Sequence, residues 1–491
     1  VFQNPADQFV ARLIEEDTAF GPANLAVRRA EIRARVAAAL HTVKMSGFTT
    51  QLPHLLSAGQ KQRVALAGVL AMQPECVIFD ESTAMLDPRG RLDVMAEMQE
   101  LHERGITVLF ITHFMEEAAK AQRVIVLNEG TLVFDGTPKA LFADLALLKE
   151  CGLEQPSTLL LLNEIRGLNP QLADLSADFE QVLQRVPQYT GPRLPVPQAS
   201  DAPGGDTLIE VAGLNHTYLK DTPLAHQALF DVALEVKSGL AHGFCGATGC
   251  GKSTLLQHFN GLYRPQSGRL RIGPYTLSDP DVDIRAVRRY AGLVFQNPEI
   301  YFFEQYVGDE IAFGPKNLYG REGLAKRVEE AMELVGLDFG KFKDRVTYTL
   351  SGGEKRKVAL AATMALQPGL LILDEPTAGL DPASRRNLHG ILRNSQLSGI
   401  ELILSSHSMG DITELTQNLT LMARGRALRT GNTADLFNDA ALIQEASLGQ
   451  PSVVRLAGAM RARGWPVPQR VVRAEQLFDA LRRLKGGQAH E

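Results

Sequence analysis

The polar background of the chain is broken by short apolar runs, among them Thr107 to Ile111 and Leu370 to Leu373. The second is continuous and ends in Asp374-Glu375, which predicts a strand buried on both faces of a parallel sheet. Neither run approaches the ~20 residues needed to cross a bilayer. Lys61 to Met72 and Lys355 to Met364 show helical spacing, and each follows a Ser and glycines, a pattern that predicts a capped helix N-terminus. A glycine-rich stretch at Gly246 lies between an apolar segment and the helix-like Thr254-Leu255-Leu256, which predicts strand, loop and helix in that order. From Pro187 to Thr207, five prolines and three glycines break any helix or strand, so this stretch is read as a linker.

The same patterns occur twice. Val1-Phe2-Gln3-Asn4-Pro5 recurs as Val294-Phe295-Gln296-Asn297-Pro298, and Phe20-Gly21-Pro22 as Phe313-Gly314-Pro315. Ser57 is answered by Ser351, Asp80-Glu81 by Asp374-Glu375, and His113 by His407, all at one offset of 294 residues. A constant offset over such a distance means two copies of one domain. Pro156 and Pro451 extend the match past these residues, so each copy carries a C-terminal extension with helical spacing. The expected organisation is a first domain over 1–135, its extension over 136–186, the linker over 187–207, a second domain over 208–430 and its extension over 431–491. Measured against the second copy, the first is expected to lack an opening portion of about 86 residues, the part that would carry its own glycine-rich loop.

The second copy spells out its chemistry. Gly246-Ala247-Thr248-Gly249-Cys250-Gly251-Lys252-Ser253 satisfies GxxxxGK[ST], followed by Thr254. Glycines let backbone N–H groups turn onto phosphate oxygens at a helix N-terminus, a lysine neutralises the β- and γ-phosphates, and the Ser hydroxyl ligates Mg²⁺. Asp374, at the C-terminal end of its strand, is placed to hold Mg²⁺, and Glu375 to polarise an attacking water. Cys250, inside the loop beside Lys252, is expected to favour its thiolate and to be the most reactive of the four cysteines. Ser57-Ala58-Gly59-Gln60 and Ser351-Gly352-Gly353-Glu354 are candidate anion-binding caps, each the same distance ahead of its Asp-Glu pair.

Together these residues resemble the ATP-binding-cassette (ABC) ATPases, and the resemblance covers nearly the whole chain. It implies an α/β P-loop NTPase fold in two tandem copies, each with a helical signature subdomain. Ser57 to Gln60 and Ser351 to Glu354 match the signature motif, Gln3 and Gln296 the Q-loop, Leu86-Asp87 and Leu380-Asp381 the D-loop, and His113 and His407 the switch histidine. Asp80 and Asp374 then become Mg²⁺-associated carboxylates together with Ser253 and Gln296. Glu81 and Glu375 become the hydrolytic glutamates, served by the Q-loop and switch residues. Tyr218 resembles the aromatic residue that stacks on adenine, and it is equally readable as a half-buried strand residue. Phe-Gln-Asn-Pro followed by Ala-Phe-Gly-Pro, at Phe295 to Pro298 and Ala312 to Pro315, looks like the energy-coupling-factor (ECF) group, which energises uptake of vitamins and transition-metal ions. Departures are Ala58 where a glycine is usual, and Ser82 and Met85 where the second copy has Pro376 and Gly379.

The resemblance implies that the two halves pair head to tail, each nucleotide lying between the phosphate loop of one and the signature motif of the other. Gly246 to Ser253 would be completed by Ser57 to Gly59, whereas the residues around Glu81 would have no phosphate loop of their own. Integral membrane coupling and substrate-binding subunits are the implied partners, with Phe302, Phe303 and Tyr306 either a docking surface or core. The net charge of -5 offers no basic field for nucleic acid. Four scattered cysteines without metal spacing fit a reducing compartment, and the implied location is the cytoplasmic face of a membrane. The competing reading is a soluble tandem cassette protein acting on ribosomes or DNA; its long charged linker or coiled-coil insertion has no counterpart here.

Overall fold

The computed structural model describes residues 1–84, 86, 88–168, 179–191, 204–297 and 302–487. Asp87, Met85, Pro298 and most of the expected linker lie outside them, as does the side chain of Ala58. The chain divides into two compact units, Val1–Pro156 and Ser157–Glu491.

In the first unit, β1 (Cys76–Asp80) runs parallel to β2 (Thr107–Ile111), with Asp80 level with Ile111. A hairpin of β3 (Val124–Asn128) and β4 (Thr131–Gly136) follows. Helices Ile14–Asn24, Arg29–Thr42 and Ala58–Leu70 close over one face of β1, where Val77 and Phe79 meet Leu40, Val64 and Ala67. The other face of the strand is open, and Ile78 is 53% exposed.

In the second unit, β5 (Thr207–Tyr218) and β6 (His226–Lys237) form an antiparallel sheet with β8 (Ser267–Ile272) and β9 (Tyr275–Thr276) in the order β6-β5-β8-β9. The central sheet contains β7 (His242–Cys245), β10 (Ala291–Val294), β11 (Leu370–Asp374), β12 (Glu401–Ser405), β13 (Asn418–Ala423) and β14 (Arg426–Asn432). Its order is β10-β11-β12-β7-β13-β14, parallel except for β14. All five residues of β11 are buried, as the unbroken apolar run predicts. Alternation divides them between two cores. Leu370 and Ile372, with Ile403 of β12, face Leu255, Leu256 and Phe259 of the helix Lys252–Phe259. Leu371 and Leu373 face Val358 and Leu360 of the helix Gly352–Met364 and Leu388 and Leu392 of the helix Pro382–Leu397.

Helices Ser157–Leu168 and Phe179–Arg185, which the sequence places after the first copy, belong to the second unit. Leu161, Leu162, Ile165 and Val182 share a core with Leu456, Met460, Leu477 and Leu481 of helices Ser452–Ala462 and Ala474–Gly487. Arg455 grips Glu180 with two bonds of 2.7 and 2.6 Å, and Trp465 Nε1 donates to Pro187 O at 2.8 Å. No described helix is long and apolar enough to cross a membrane.

The two strands give a direct test of two-sided burial, because Ile78 and Ile372 are the same position in the two copies. Ile372→Ala should destabilise its unit by about 2–4 kcal/mol in urea unfolding, and Ile78→Ala by under about 1 kcal/mol. Equal losses would contradict the assigned faces.

Candidate functional site

The site grows out of the ends of β7, β10 and β11. Beyond Cys245 the chain turns sharply, with φ of 79° at Gly249 and 101° at Gly251. Only glycine fits two of these positions. A Cβ on Gly246 would lie 2.3 Å from Met422 O, and one on Gly251 would lie 2.9 Å from Leu229 Cδ2. Gly251 caps the helix Lys252–Phe259, so the first free N–H groups of that helix point into the loop.

Lys252 is 6% exposed, and its Nζ donates to Gly246 O at 2.8 Å and to Ala247 O at 3.3 Å. It also lies 3.7 Å from Glu375 Oε1. On the far side of Glu375, His407 Nδ1 is 2.8 Å from Oε2, and the His407 backbone N–H donates to the same oxygen at 3.2 Å. A carboxylate thus sits between lysine and histidine, almost out of reach of water. Burial alone would raise the Glu375 pKa, but the bond from His407 and the charges of His407 and Lys252 outweigh it and hold the carboxyl below its ordinary range. Neighbouring Asp374 goes the other way: burial raises it, and hydrogen bonds from Ser405 and Ser253 offset this only in part. Adjacent carboxyls pushed apart in this way suit different tasks.

Glu375 pays for its position with a left-handed backbone, φ 48°, and Glu81 repeats this at φ 42°. Such a conformation in a non-glycine residue costs of order 1–3 kcal/mol and concentrates at functional sites. Arg356, from the helix that follows the second signature serine, secures the turn by donating to Glu375 O at 3.0 Å and Ala378 O at 3.3 Å.

The expected Mg²⁺ residues Ser253 and Asp374 share a hydrogen bond, which puts two oxygen ligands of the right chemistry side by side. Gln296 follows the end of β10, the strand next to β11. In the first unit, Gln3 Nε2 donates to Glu81 Oε2 at 2.8 Å, and His113 Nδ1 lies 3.5 Å from Oε1. Asp80 ends β1 just before Glu81. The two copies therefore assemble the same glutamate and histidine at the same strand end.

Both signature segments are helix caps. Ser57 accepts from Gln60 N and its own N–H donates to Gln60 Oε1; Ser351 and Glu354 do the same. A Cβ on Gly59 or Gly352 would meet nothing within 4 Å, so these backbones face open space; one on Gly353 would lie 3.3 Å from Ser384 Oγ. Asp381 caps the helix Pro382–Leu397 through Ser384 N at 2.9 Å. Tyr218 ends β5 half-buried, its hydroxyl 2.9 Å from Thr254 Oγ1, one residue beyond Ser253. Phe302 packs against the core, whereas Phe303 is 74% exposed and stacks on Phe313 with ring centroids 5.6 Å apart.

One expectation is overturned. Cys250 is buried, and the loss of water pushes its thiol pKa up, with Lys252 compensating only in part. At Cys250 the lost hydration outweighs the attraction of Lys252 for a thiolate. Another residue escaped the sequence reading: Asp411, four positions after His407 and fully buried. It accepts from Arg385 Nε at 2.7 Å, pairs with His389 Nε2 at 2.8 Å, and takes the Thr377 hydroxyl. It therefore ties the turn after Glu375, the helix after the D-loop and the start of the helix Met409–Leu415 to one carboxylate. Glu117 occupies the same repeat position and accepts from Thr83 at 3.0 Å and Thr112 at 2.6 Å. An acidic residue recurring at the shared offset was the available signal.

Cysteine accessibility is open to direct measurement. With the native chain, maleimide should label the exposed Cys76 first, while Cys245 and Cys250 react at least about tenfold more slowly until the fold is opened. Mass spectrometry of the labelled peptides checks the order, and Cys250 leading would restore the thiolate reading.

Comparison with known proteins agrees with this geometry. A family model described as ABC transporter matches residues 1–84 and 229–378. An ABC transporter ATP-binding protein of Caldanaerobacter subterraneus subsp. tengcongensis is 31% identical over 471 residues, covering 94% of this chain and 81% of its own length. One from Methanosarcina mazei is 32% identical over 481 residues, with coverages of 95% and 80%. The energy-coupling factor transporter ATP-binding protein EcfA2 of Symbiobacterium thermophilum is 43% identical over 275 residues, which is 56% of this chain and 95% of that protein. With a glycine-rich phosphate-type loop, a strand-end carboxylate pair and a histidine against the glutamate in one half, and the same glutamate and histidine repeated in the other, the chain belongs to the ABC transporter ATP-binding family, as a tandem of two ABC ATPase domains of the energy-coupling-factor type.

Proposed function

We propose that this chain binds and hydrolyses Mg-ATP at Gly246 to Ser253 to drive uptake of a small nutrient, a vitamin or a transition-metal ion, through integral membrane subunits. The observation that carries the reading is Glu375 held between Lys252 and His407 at the end of β11, beside the Ser253–Asp374 pair. Lys252 would leave the loop carbonyls for the β- and γ-phosphate oxygens, which offer it a full negative charge instead of a dipole. Glu375, kept ionised, would orient and polarise the attacking water, with His407 holding the carboxylate in register. Ser253 and Asp374, with Gln296 just past the end of the neighbouring strand β10, would hold Mg²⁺, which when bound would supply charge neutralisation on the transferring phosphoryl group.

The halves would pair head to tail, Ser57, Gly59 and Gln60 with Ala58 completing the site of the second half, and Ser351 to Glu354 serving the residues around Glu81. Matching capped signature helices in both copies support this pairing. The membrane subunits would dock beside the exposed Phe303 and Tyr306, placing the protein peripherally on the cytoplasmic face. Uptake as the direction is what the resemblance to the energy-coupling-factor group implies, and the likeness to an energy-coupling factor transporter ATP-binding protein supports that grouping. Action on ribosomes or DNA finds no support among these relatives.

Two substitutions separate binding from chemistry. Lys252→Ala should abolish Mg-ATP binding, and the parent should bind one equivalent, because the 491 residues hold one GxxxxGK[ST] loop. Glu375→Gln should retain affinity within about threefold and lose turnover by about 10²–10⁴-fold in single-turnover hydrolysis. Two equivalents bound, or full turnover in Glu375→Gln, would refute the assignment.

A further inference from the structure

Behind Tyr218 lies a group of rings that hydrolysis does not use. His216, two residues earlier on β5, is 5% exposed, and neither of its ring nitrogens has a hydrogen-bond partner among the described residues. Its ring meets Tyr218 edge-on at 4.6 Å between centroids, His258 edge-on at 4.8 Å, and Tyr263 at 4.7 Å. Tyr263 is also 5.7 Å from both Tyr218 and His258. His258, on the helix that starts at Lys252, is fully buried; its Nδ1 lies 2.7 Å from Thr254 O, and its Nε2 has no partner among the described residues. An Nδ1 on a carbonyl must carry the proton, so this imidazole is the Nδ1–H tautomer with a bare Nε2.

Three buried ring nitrogens without partners are unfavourable, and buried polar atoms are ordinarily satisfied. A site that tolerates them uses the imidazoles as aromatic edges and not as hydrogen-bonding groups. Both rings must then be neutral, since a charged imidazole among apolar neighbours would be more costly still. Burial does depress both pKa values, that of His258 to about 4. The ring set converges on Tyr218 and Thr254. Thr254 accepts from His258 through its carbonyl and meets the Tyr218 hydroxyl through Oγ1, so one residue next to Ser253 connects the ring set to the phosphate loop.

We propose that His216, His258 and Tyr263 form an aromatic brace that fixes the ring plane of Tyr218 as the platform for the adenine base, with His216 a positioning residue for base recognition. The proposal rests on the reading of Tyr218 as that platform. Edge-to-face contacts resist rotation of a ring more than loose apolar packing does, because they favour particular ring angles. A platform preset in this way loses less freedom when a base stacks on it. The brace therefore acts on the base and not on the phosphates, which are held by the loop and Lys252.

That division defines the experiment. Equilibrium binding of Mg-ATP and of Mg-tripolyphosphate is measured on the full chain for the parent, Tyr218→Ala, His216→Ala and His216→Phe. Base stacking on an aromatic platform is worth about 1–3 kcal/mol, or roughly 5- to 150-fold in affinity. Tyr218→Ala should weaken Mg-ATP within that range and leave tripolyphosphate within about twofold. His216→Ala should do the same to a smaller extent, about 3- to 20-fold, whereas His216→Phe, which keeps a ring at the position, should stay within about twofold for both ligands. If Tyr218→Ala weakens Mg-ATP but His216→Ala does not, the brace is wrong while the platform stands. If Tyr218→Ala leaves Mg-ATP unchanged, the platform reading fails first and takes the brace with it. Equal weakening of both ligands by His216→Ala, or a His216→Phe variant as weak as His216→Ala, would also overturn the brace, since either outcome assigns His216 to the general structure of the loop.

Discussion

A buried carboxylate must be compensated, and most of the second unit can be understood as the means of compensating Glu375. The residue sits at the end of a strand covered on both faces, where an unpaired charge would be several kcal/mol unfavourable. Lys252 approaches from one side and His407 from the other, so three separate elements have to meet at one point. The helix Lys252–Phe259 is held down by Leu255, Leu256 and Phe259 on β11 and β12, and the turn after Glu375 is pinned by Arg356. Charge balance and core packing therefore depend on each other. The same arrangement keeps Glu375 ionised in a place where isolation would protonate it, which is what activating a water requires.

Asp411 extends the logic one shell outward. It is fully buried, and paired cations and hydroxyls hold it well below the ordinary carboxylate range despite the opposing effect of burial. Its partners come from the turn after Glu375, the helix Pro382–Leu397 and Ser406, the residue just before His407. A movement of any one of these must be felt by the others, because the carboxylate cannot lose a partner without leaving charge exposed to an apolar interior. Glu117 reproduces the contact to the hydroxyls in the first unit but not the pairing with a histidine, Met95 standing where the second copy has His389. The two copies thus share the acidic residue and its hydroxyl partners while differing at the histidine position.

The comparison of copies also explains why identical patterns bury differently. Val77 and Phe79 are as buried as Leu371 and Leu373, since both pairs face helices that each copy possesses. Ile78 and Ile372 differ completely, since the second face of β11 is covered by a loop helix and an antiparallel sheet that have no counterpart against β1 among the described residues. The helices Ser157–Leu168 and Phe179–Arg185 follow the first copy in sequence but pack with the second unit, because their apolar stripe finds its complement on Ser452–Ala462 and Ala474–Gly487.

Local pattern was enough to read the repeat, the phosphate loop, the carboxylate pair at a strand end and the two capped signature helices. Each of these depends on backbone requirements or hydrogen bonds spanning a few residues, such as glycine at φ 101° or a Ser that accepts from the amide three positions on. What depends on solvent exclusion could not be read in this way. The state of Cys250 turned on whether water reaches the loop, the shared role of Asp411 on where three distant segments meet, and the rings behind Tyr218 on the approach of β5 to the helix carrying His258. Sequence carries the identity of these groups, but their energies are set by neighbours that only the folded chain brings within a few ångströms.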